Sequence, residues 1–440
     1  MLKNGGDAME RLKGKNLLLV GLTLFSMFFG AGNLIFPSFL GAQAGTATWS
    51  AMLGLVLSAI GLPVLGVVAV ARSGGLPNLA GRVHPVFGTA FTVLIYLSIG
   101  PCLAIPRTAS TSFEMAVPPF VPEGTPLLAL RVIYSAVFFG LSLLLALRPE
   151  KLTDRLGKIL CPLLIALIAV VFVGTLMNPS PYGPATGAYA TQAVAHGFLA
   201  GYQTMDAIAA LNFGMIVALN IRARGVTDDR AVTSGTIKAG WIAGAVLLVV
   251  YAMLAHVGAV SGGRFPAQSN GAGTLTVLVG GLFGTLGSAV LAAIFVIACF
   301  NTCTGLISCC GDYFHSLIPR FSYRAWAAFF AAVSLLISVA GLDLILQFSG
   351  PLLNAIYPPS IVLIVLGLCQ RWLEGRRAVY PWAVGTTTVV SVLWVLGGFL
   401  PPLGDLLTAV LPFASLDLGW VVPALLGAGV GLLASRKKTA

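Results

Sequence analysis

The sequence predicts an all-α polytopic membrane protein of about twelve transmembrane helices, on three observations. Of its 440 residues, 58% are hydrophobic and only 9% are charged, whereas a soluble domain carries roughly 25% charged residues. Apolar stretches of about 20 residues, long enough to cross a hydrocarbon core roughly 30 Å thick, recur along the whole chain. The basic residues fall almost wholly in alternate connections, which places both termini on the cytoplasmic face and makes the number of spans even.

Span one (16–40) follows Lys3, Arg11, Lys13 and Lys15 and carries Gly30-Ala31-Gly32-Asn33 within its apolar run, with Pro37 beyond. A helix so interrupted is expected to break, because glycine and asparagine open it and hydrocarbon tolerates opened peptide groups only where protein, water or ligand satisfies them. Arg72 and Arg82 separate spans two (48–71) and three (86–116). Arg148, Lys151, Arg155 and Lys158 separate spans four (127–147) and five (156–177). Span six (192–219) holds Gly197, Gly201 and a mid-span acid, Asp206, and is the second segment expected to open; tight helix packing is the other reading of its glycines. Arg222, Arg224, Arg230 and Lys238 lead into span seven (236–259), and a long external loop, about 260–280, leads to span eight (281–311). Spans nine (324–342), ten (344–368), eleven (380–400) and twelve (418–435) complete the set. Pro351, Pro358 and Pro359 are expected to kink span ten.

Spans one to five (about 16–177) and six to ten (about 192–368) each contain an odd number of helices, so the two units insert with opposite orientations. That is an inverted repeat, with two further helices at about 380–435, and two interrupted segments opening the two units point to a secondary transporter in a single transmembrane domain. Ala42-Gln43-Ala44 is no cleavage site on this reading, because the apolar run before it is longer than a signal core. The net charge of +11 reflects the alternating loops and not nucleic-acid binding. The seven cysteines form no C-x-x-C pair and read as free thiols in apolar surroundings. Cys309, Cys310, Asp312 and His315 are sequential rather than convergent, which argues against an intramembrane enzyme.

Four motifs then become recognisable: GAGNLIFPSFLGAQAG at 30–45, GPCLAIPRTASTSFE at 100–114, GFLAGYQTMD at 197–206 and AIYPPSIVLIVL at 355–366. In order and across nearly the whole chain, they resemble the branched-chain amino acid transport system II carriers of bacteria. The resemblance implies uptake of leucine, isoleucine and valine across the bacterial cytoplasmic membrane, coupled to sodium, with no cofactor. Gly30 to Asn33 followed by Phe36-Pro37 also looks like the first-helix break of the LeuT-type fold, which implies the five-plus-five architecture.

An amino acid presents a carboxylate, an ammonium group and a side chain. The carboxylate suits the N-H groups of Ala31 and Gly32 at a half-helix N-terminus, with Gly30 permitting approach and Asn33 adjoining. The ammonium group needs acceptors, which opened carbonyls from Phe198 to Gly201 would supply, with Tyr202 and Thr204 as further candidates. Sodium needs hard oxygen ligands. Within Cys299-Phe300-Asn301-Thr302-Cys303-Thr304, Thr302 is the first choice, completed by span-one carbonyls near Ser26 and Phe29 as LeuT-type sites imply. Cys303 stands where such sites often offer a second hydroxyl, and back-bonding of Thr302 and Thr304 within their own helix is the competing reading. Phe28, Phe29, Phe198, Phe300 and Tyr357 are candidate linings of an apolar pocket, and Tyr357 a candidate gate.

Ionisable residues inside spans cost about 2.5–3.5 kcal/mol on insertion scales, so each implies a partner or a function. Arg107 and Asp206 qualify: they pair with each other or contact substrate. Glu114 and Asp312 are placed at wet boundaries, and His196 and His256 at the external interface. The rival reading is a proton-coupled symporter of neutral amino acids working through Asp206.

Overall fold

The computed structural model describes residues 14–122, 124–147 and 161–436. Lys3, Arg11, Lys13, Arg148, Lys151, Arg155, Lys158, Lys437 and Lys438, and the first residues of span five, lie outside them. Among the described residues there are helices and no strand.

Span one is two helices, α1 (Gly14–Phe28) and α2 (Ala31–Ala44). Span two comprises α3 (Thr48–Val56) and α4 (Leu62–Ser73), joined through a π-turn at Leu57–Gly61. A short helix, α5 (Leu76–Gly81), precedes span three, which is α6 (Pro85–Leu97) and α7 (Ala104–Ala116). Spans four and five are α8 (Leu127–Ala146) and α9 (Cys161–Met177). Span six is α10 (Tyr189–Tyr202) and α11 (Asp206–Ala223), followed by α12 (Asp229–Arg264) as span seven. The helix α13 (Gly271–Leu317) contains span eight, and α14 (Tyr323–Ser338) and α15 (Leu342–Leu368) are spans nine and ten. The chain closes with α16 (Val379–Gly397), a short α17 (Pro401–Val410) and α18 (Val421–Arg436).

The expected loop at 260–280 is helical from Gly271 onward. Asn270 caps this segment by accepting from the Gly273 N-H at 3.0 Å, and Gly284, at φ 58°, turns it into the membrane-crossing part of α13. The segment rests on α2: a Cβ on Gly271 would lie 2.0 Å from the Ile35 carbonyl oxygen. Apolar periodicity alone cannot separate such a surface helix from the span that follows it.

Without a hydrophobic force between helices in lipid, close backbone approach holds a bundle together. Both halves of span one pack along α12, and both halves of span six along span two, the reciprocal pairing that an inverted repeat produces. A Cβ on Gly41 would meet the Ala255 carbonyl oxygen at 2.0 Å, and one on Gly258 the Ser38 carbonyl oxygen at 1.9 Å. On the other side, Gly54 and Gly197 hold α3 and α10 together, each too close to a facing carbonyl for a side chain. Large apolar side chains such as Leu53, Ile133, Leu144, Leu286 and Leu336 stay exposed on the outside.

The loops rich in basic residues meet on one face of the bundle, hereafter the basic face. There Arg82 Nη1 donates to the Tyr380 hydroxyl at 3.0 Å, Gln370 Nε2 to the Arg72 carbonyl at 3.5 Å, and Arg222 pairs with Asp229. On the opposite face Arg131 pairs with Glu114 at 3.1 Å, both partly exposed, tying span four to span three.

Gly258→Leu is expected to force α2 and α12 apart and lower stability by about 1–3 kcal/mol. Gly385→Ala, facing open space, is expected not to lower it; thermal unfolding in detergent compares the two.

Candidate functional site

Three interruptions meet at one level of the bundle. In span one the Gly30 N-H turns from its helical acceptor to Asn33 Oδ1, 3.1 Å away, and the backbone at Gly30 is extended. The first N-H groups of α2 are left without a side-chain cap, at the positive end of its dipole.

Span six opens at Gln203–Met205, beyond the glycines that the sequence singled out. Met205 adopts φ 64°, a left-handed conformation that a non-glycine residue holds only when its surroundings impose it. Gly197 and Gly201 are packing glycines: a Cβ on Gly201 would meet Ser58 Oγ at 1.9 Å. The Ala200, Gly201 and Tyr202 carbonyls accept from Gln203, Thr204 and Met205 at 3.1 to 3.2 Å, so the expected opened carbonyls of Phe198 to Gly201 are not what the break presents.

Span three supplies the third interruption, which sequence reasoning missed. Gly100 has ψ −125° ahead of Pro101, inside a π-turn at Ser98–Cys102. Proline lacks the donor a continuous helix needs, and Gly100-Pro101 within an apolar run was the available signal.

Between the breaks lies a cavity of about 30 Å³ lined by Gly30 to Asn33, Thr204 to Asp206, Arg107, Thr108, Thr302 and Phe28, among others. Its further walls include Met27, Ile99, Ala104, Ala209, Phe213 and Leu306, ordinary apolar residues that nothing in the sequence distinguished.

Two opposite charges face this cavity, and each is buried. Asp206 begins α11 and accepts from Asn33 Nδ2 at 2.5 Å and from the Tyr251 hydroxyl at 3.0 Å. Arg107 Nη1 donates to the Gln203 carbonyl at 2.8 Å, its other terminal nitrogen sits where a Cβ on Gly32 would lie, 2.7 Å away, and Phe36 covers the guanidinium at 5.7 Å. Of the two readings of these residues, mutual pairing or contact with substrate, the Arg107–Asp206 ion pair is not formed. Each charge has found neutral partners of its own, Arg107 on the opened end of α10 and Asp206 across the junction of α2 with α12.

Beside the cavity, Thr302 Oγ1 lies 3.4 Å from the Met27 carbonyl, and Asn301 Nδ2 donates to Ser26 Oγ at 3.0 Å. Asn301 Oδ1 is buried without a hydrogen-bond partner. Thr302 therefore faces span one, whereas Thr304 back-bonds to the Phe300 carbonyl at 2.8 Å. These neutral oxygens suit a hard monovalent cation. The thiols do not: Cys303 lies toward Ser142 and Thr108, Cys299 is one turn earlier on that side, and sulfur is a soft ligand. Phe29 is stacked on Phe25 at 5.1 Å and Phe300 packs edge-on against Phe138 at 5.8 Å, both away from the cavity.

Toward the non-basic face, the path is closed by Tyr202 stacked on Tyr357, with ring centroids 4.3 Å apart, and Phe198 packs against Tyr202 at 5.5 Å. These three stand above the cavity rather than in its wall. Toward the basic face, a vestibule of about 380 Å³ begins at Met27, which lines both spaces, and reaches exposed Asp312. Cys309 lines that vestibule, Cys310 lies against the Tyr96 carbonyl and His315 Nδ1 contacts the Phe321 carbonyl, so the four residues do not converge. On the non-basic side, His256 Nδ1 shares a 2.7 Å hydrogen bond with Tyr182, and the His196 ring lies 5.9 Å from that of Tyr189.

The sequence model of one family, described as "Branched-chain amino acid transport protein", matches residues 13–438. The "Branched-chain amino acid permease BraB" of Bacillus subtilis (strain 168) is 42% identical over 425 residues, 95% of each chain. The "Branched-chain amino acid transport system 2 carrier protein" of Pseudomonas aeruginosa is 39% identical over 441 residues, covering 97% of this chain and 98% of that one. Among solved structures, Mhp1, a nucleobase-cation-symport-1 family transporter in a closed conformation with bromovinylhydantoin bound, aligns with a TM-score of 0.65 at 14% identity over 96% of this chain and 92% of its own. MhsT in complex with L-phenylalanine aligns with a TM-score of 0.60 at 16% identity over 96% and 99%. At these identities the likeness is one of fold, and it is the LeuT-type fold.

Asn33→Leu is expected to leave both the Gly30 N-H and Asp206 short of a partner, lowering stability by about 1.5–3 kcal/mol, the scale of a hydrogen bond to a charged group. Thermal unfolding beside the wild type measures it.

Proposed function

The chain belongs to the family of branched-chain amino acid transport proteins, and from that premise we propose that it is a sodium-coupled symporter importing leucine, isoleucine and valine across the bacterial cytoplasmic membrane, both termini inside. The observation that carries the substrate reading is the separation of Arg107 from Asp206. A single cavity with a buried cation on one wall, a buried anion on another and no ion pair between them is complementary to a zwitterion.

The substrate carboxylate goes to the free N-H groups of Ala31 and Gly32, where Arg107 adds its charge beside Gly32. The ammonium group goes to Asp206, with the Thr204 hydroxyl beside it. The side chain then meets Phe28, Ile99, Ala209 and Phe213. Burying a Leu-sized group contributes roughly 1.5–3 kcal/mol, while one methylene adds only about 1 kcal/mol, so the three substrates overlap in affinity. No covalent step is involved; transport needs only alternating access to the site.

Sodium is held between α1 and α13 by the Met27 carbonyl and Thr302 Oγ1, with the Asn301 and Ser26 side chains adjoining. Bound there, it supplies the charge that draws the two helices together beside the substrate. The second reading, proton coupling, is favoured by one observation: Asp206 is a buried carboxylate within the cavity that no cation pairs.

Uptake of labelled leucine into proteoliposomes, with sodium replaced by choline at fixed pH, separates the two readings. A sodium requirement is expected, and unchanged uptake in choline would reject sodium coupling. Thr302→Ala is expected to raise the half-saturating sodium concentration about tenfold, equivalent to about 1.4 kcal/mol, with leucine binding at saturating sodium retained. Gly32→Leu is expected to abolish leucine binding, since its side chain would displace Arg107 from the carboxylate position. Wild-type affinity in that variant would overturn the carboxylate assignment.

A further inference from the structure

The vestibule beyond Met27 is built as more than an exit. Its volume, about 380 Å³, falls within the roughly 300–1,000 Å³ range of small-molecule sites. Asn212, Met215, Ile216 and Leu219 line it from α11, Ser308 and Cys309 from α13, and Met27 separates it from the central cavity.

Asn212 is the informative residue. It is 1% exposed, yet neither its Oδ1 nor its Nδ2 has a hydrogen-bond partner. Buried amides are nearly always satisfied, because an unmade bond in a low-dielectric interior forfeits the hydration given up on folding. Here an acceptor and a donor stand side by side without partners, at the wall of a space large enough for a ligand. A metal ion would engage only the oxygen and an inorganic anion only the nitrogen. Water engages either, and a group presenting ammonium and carboxylate on one carbon engages both. The neighbouring walls, Met27, Met215, Ile216 and Leu219, are flexible or branched apolar side chains suited to an aliphatic substituent.

We propose that this vestibule is a second, weaker binding subsite for an aliphatic α-amino acid, with Asn212 Oδ1 accepting from its ammonium group and Nδ2 donating to its carboxylate. The proposal rests on the substrate reading given above. Substrate leaving the central cavity past Met27 pauses there before release at the basic face.

Equilibrium binding of radiolabelled leucine to the purified full chain at saturating sodium tests it. The wild type is expected to bind two leucines per chain, the second at least tenfold more weakly than the first. Asn212→Leu is expected to remove the weak component and keep the tight one. Met215→Trp, which fills the same space from a partly exposed position, is expected to do likewise and serves if the first variant does not fold. Gly32→Leu is expected to remove the tight component and keep the weak one. A single leucine, lost in Gly32→Leu and bound as in the wild type by Asn212→Leu and Met215→Trp, would overturn the subsite and leave the substrate reading standing. A wild type that binds no leucine would overturn both.

Discussion

A peptide group in the middle of a bilayer has no water to fall back on, and this bundle meets that constraint with one side chain. Asn33 Oδ1 takes the Gly30 N-H that the broken helix has released, and its Nδ2 reaches Asp206 at the start of α11. Tyr251, on α12, touches both. The two opened helices are thus joined to each other and to the helix beside them through a single buried cluster. Without it, the breaks in spans one and six would have no reason to meet at one level.

Glycine packing makes that junction possible. Gly41 and Gly258 seat α2 directly on the backbone of α12, which brings Tyr251 within reach of Asn33. Gly54 and Gly197 seat α10 on α3 in the same manner, so the chain arrives at Gln203 already held from one side. From there, Met205 takes its left-handed conformation and Asp206 starts a new helix toward the basic face. The strain at Met205 is held by packing on both flanks, as expected of a functional break.

The sequence made the bundle legible because span length and the alternation of basic loops are global signals that no single contact reverses. It also made the first break legible, since an asparagine beside two glycines in mid-span serves an unbroken, lipid-packed helix poorly. The second break was misplaced by a few residues for a physical reason. In a membrane the same glycines serve helix opening and helix packing, and only what faces them, here the Ala51 backbone and the Ser58 side chain, decides which. Arg107 and Asp206 were recognisable as unusual, but their partners were not, because a carbonyl freed by a distant helix end leaves no mark in the sequence. The interruption at Gly100-Pro101 was written in the residues and overlooked within an otherwise continuous span. Thr302 and Thr304 show the finer limit: two threonines two residues apart lie on different sides of one helix, and only the first meets span one.

The two faces of the site are unequal, and the inequality bears on how a carrier of this build would cycle. Stacked Tyr202 and Tyr357 close the non-basic side just above Arg107, whereas Met27 borders both the cavity and the vestibule on the basic side. A ligand shifts such an equilibrium only by binding one state better than the other. In the proposed cycle Arg107 supplies that difference. Its guanidinium is held through Nη1 on the Gln203 carbonyl at the mouth of α10, while its other terminal nitrogen lies nearest Gly32 and is the one a carboxylate there would take. Substrate arrival therefore adds, to the bond that fastens span three to the break in span six, one that fastens it to the cargo. The helix end so held is the one that carries Tyr202, so in this cycle occupancy of the site and closure of the non-basic path bear on the same guanidinium.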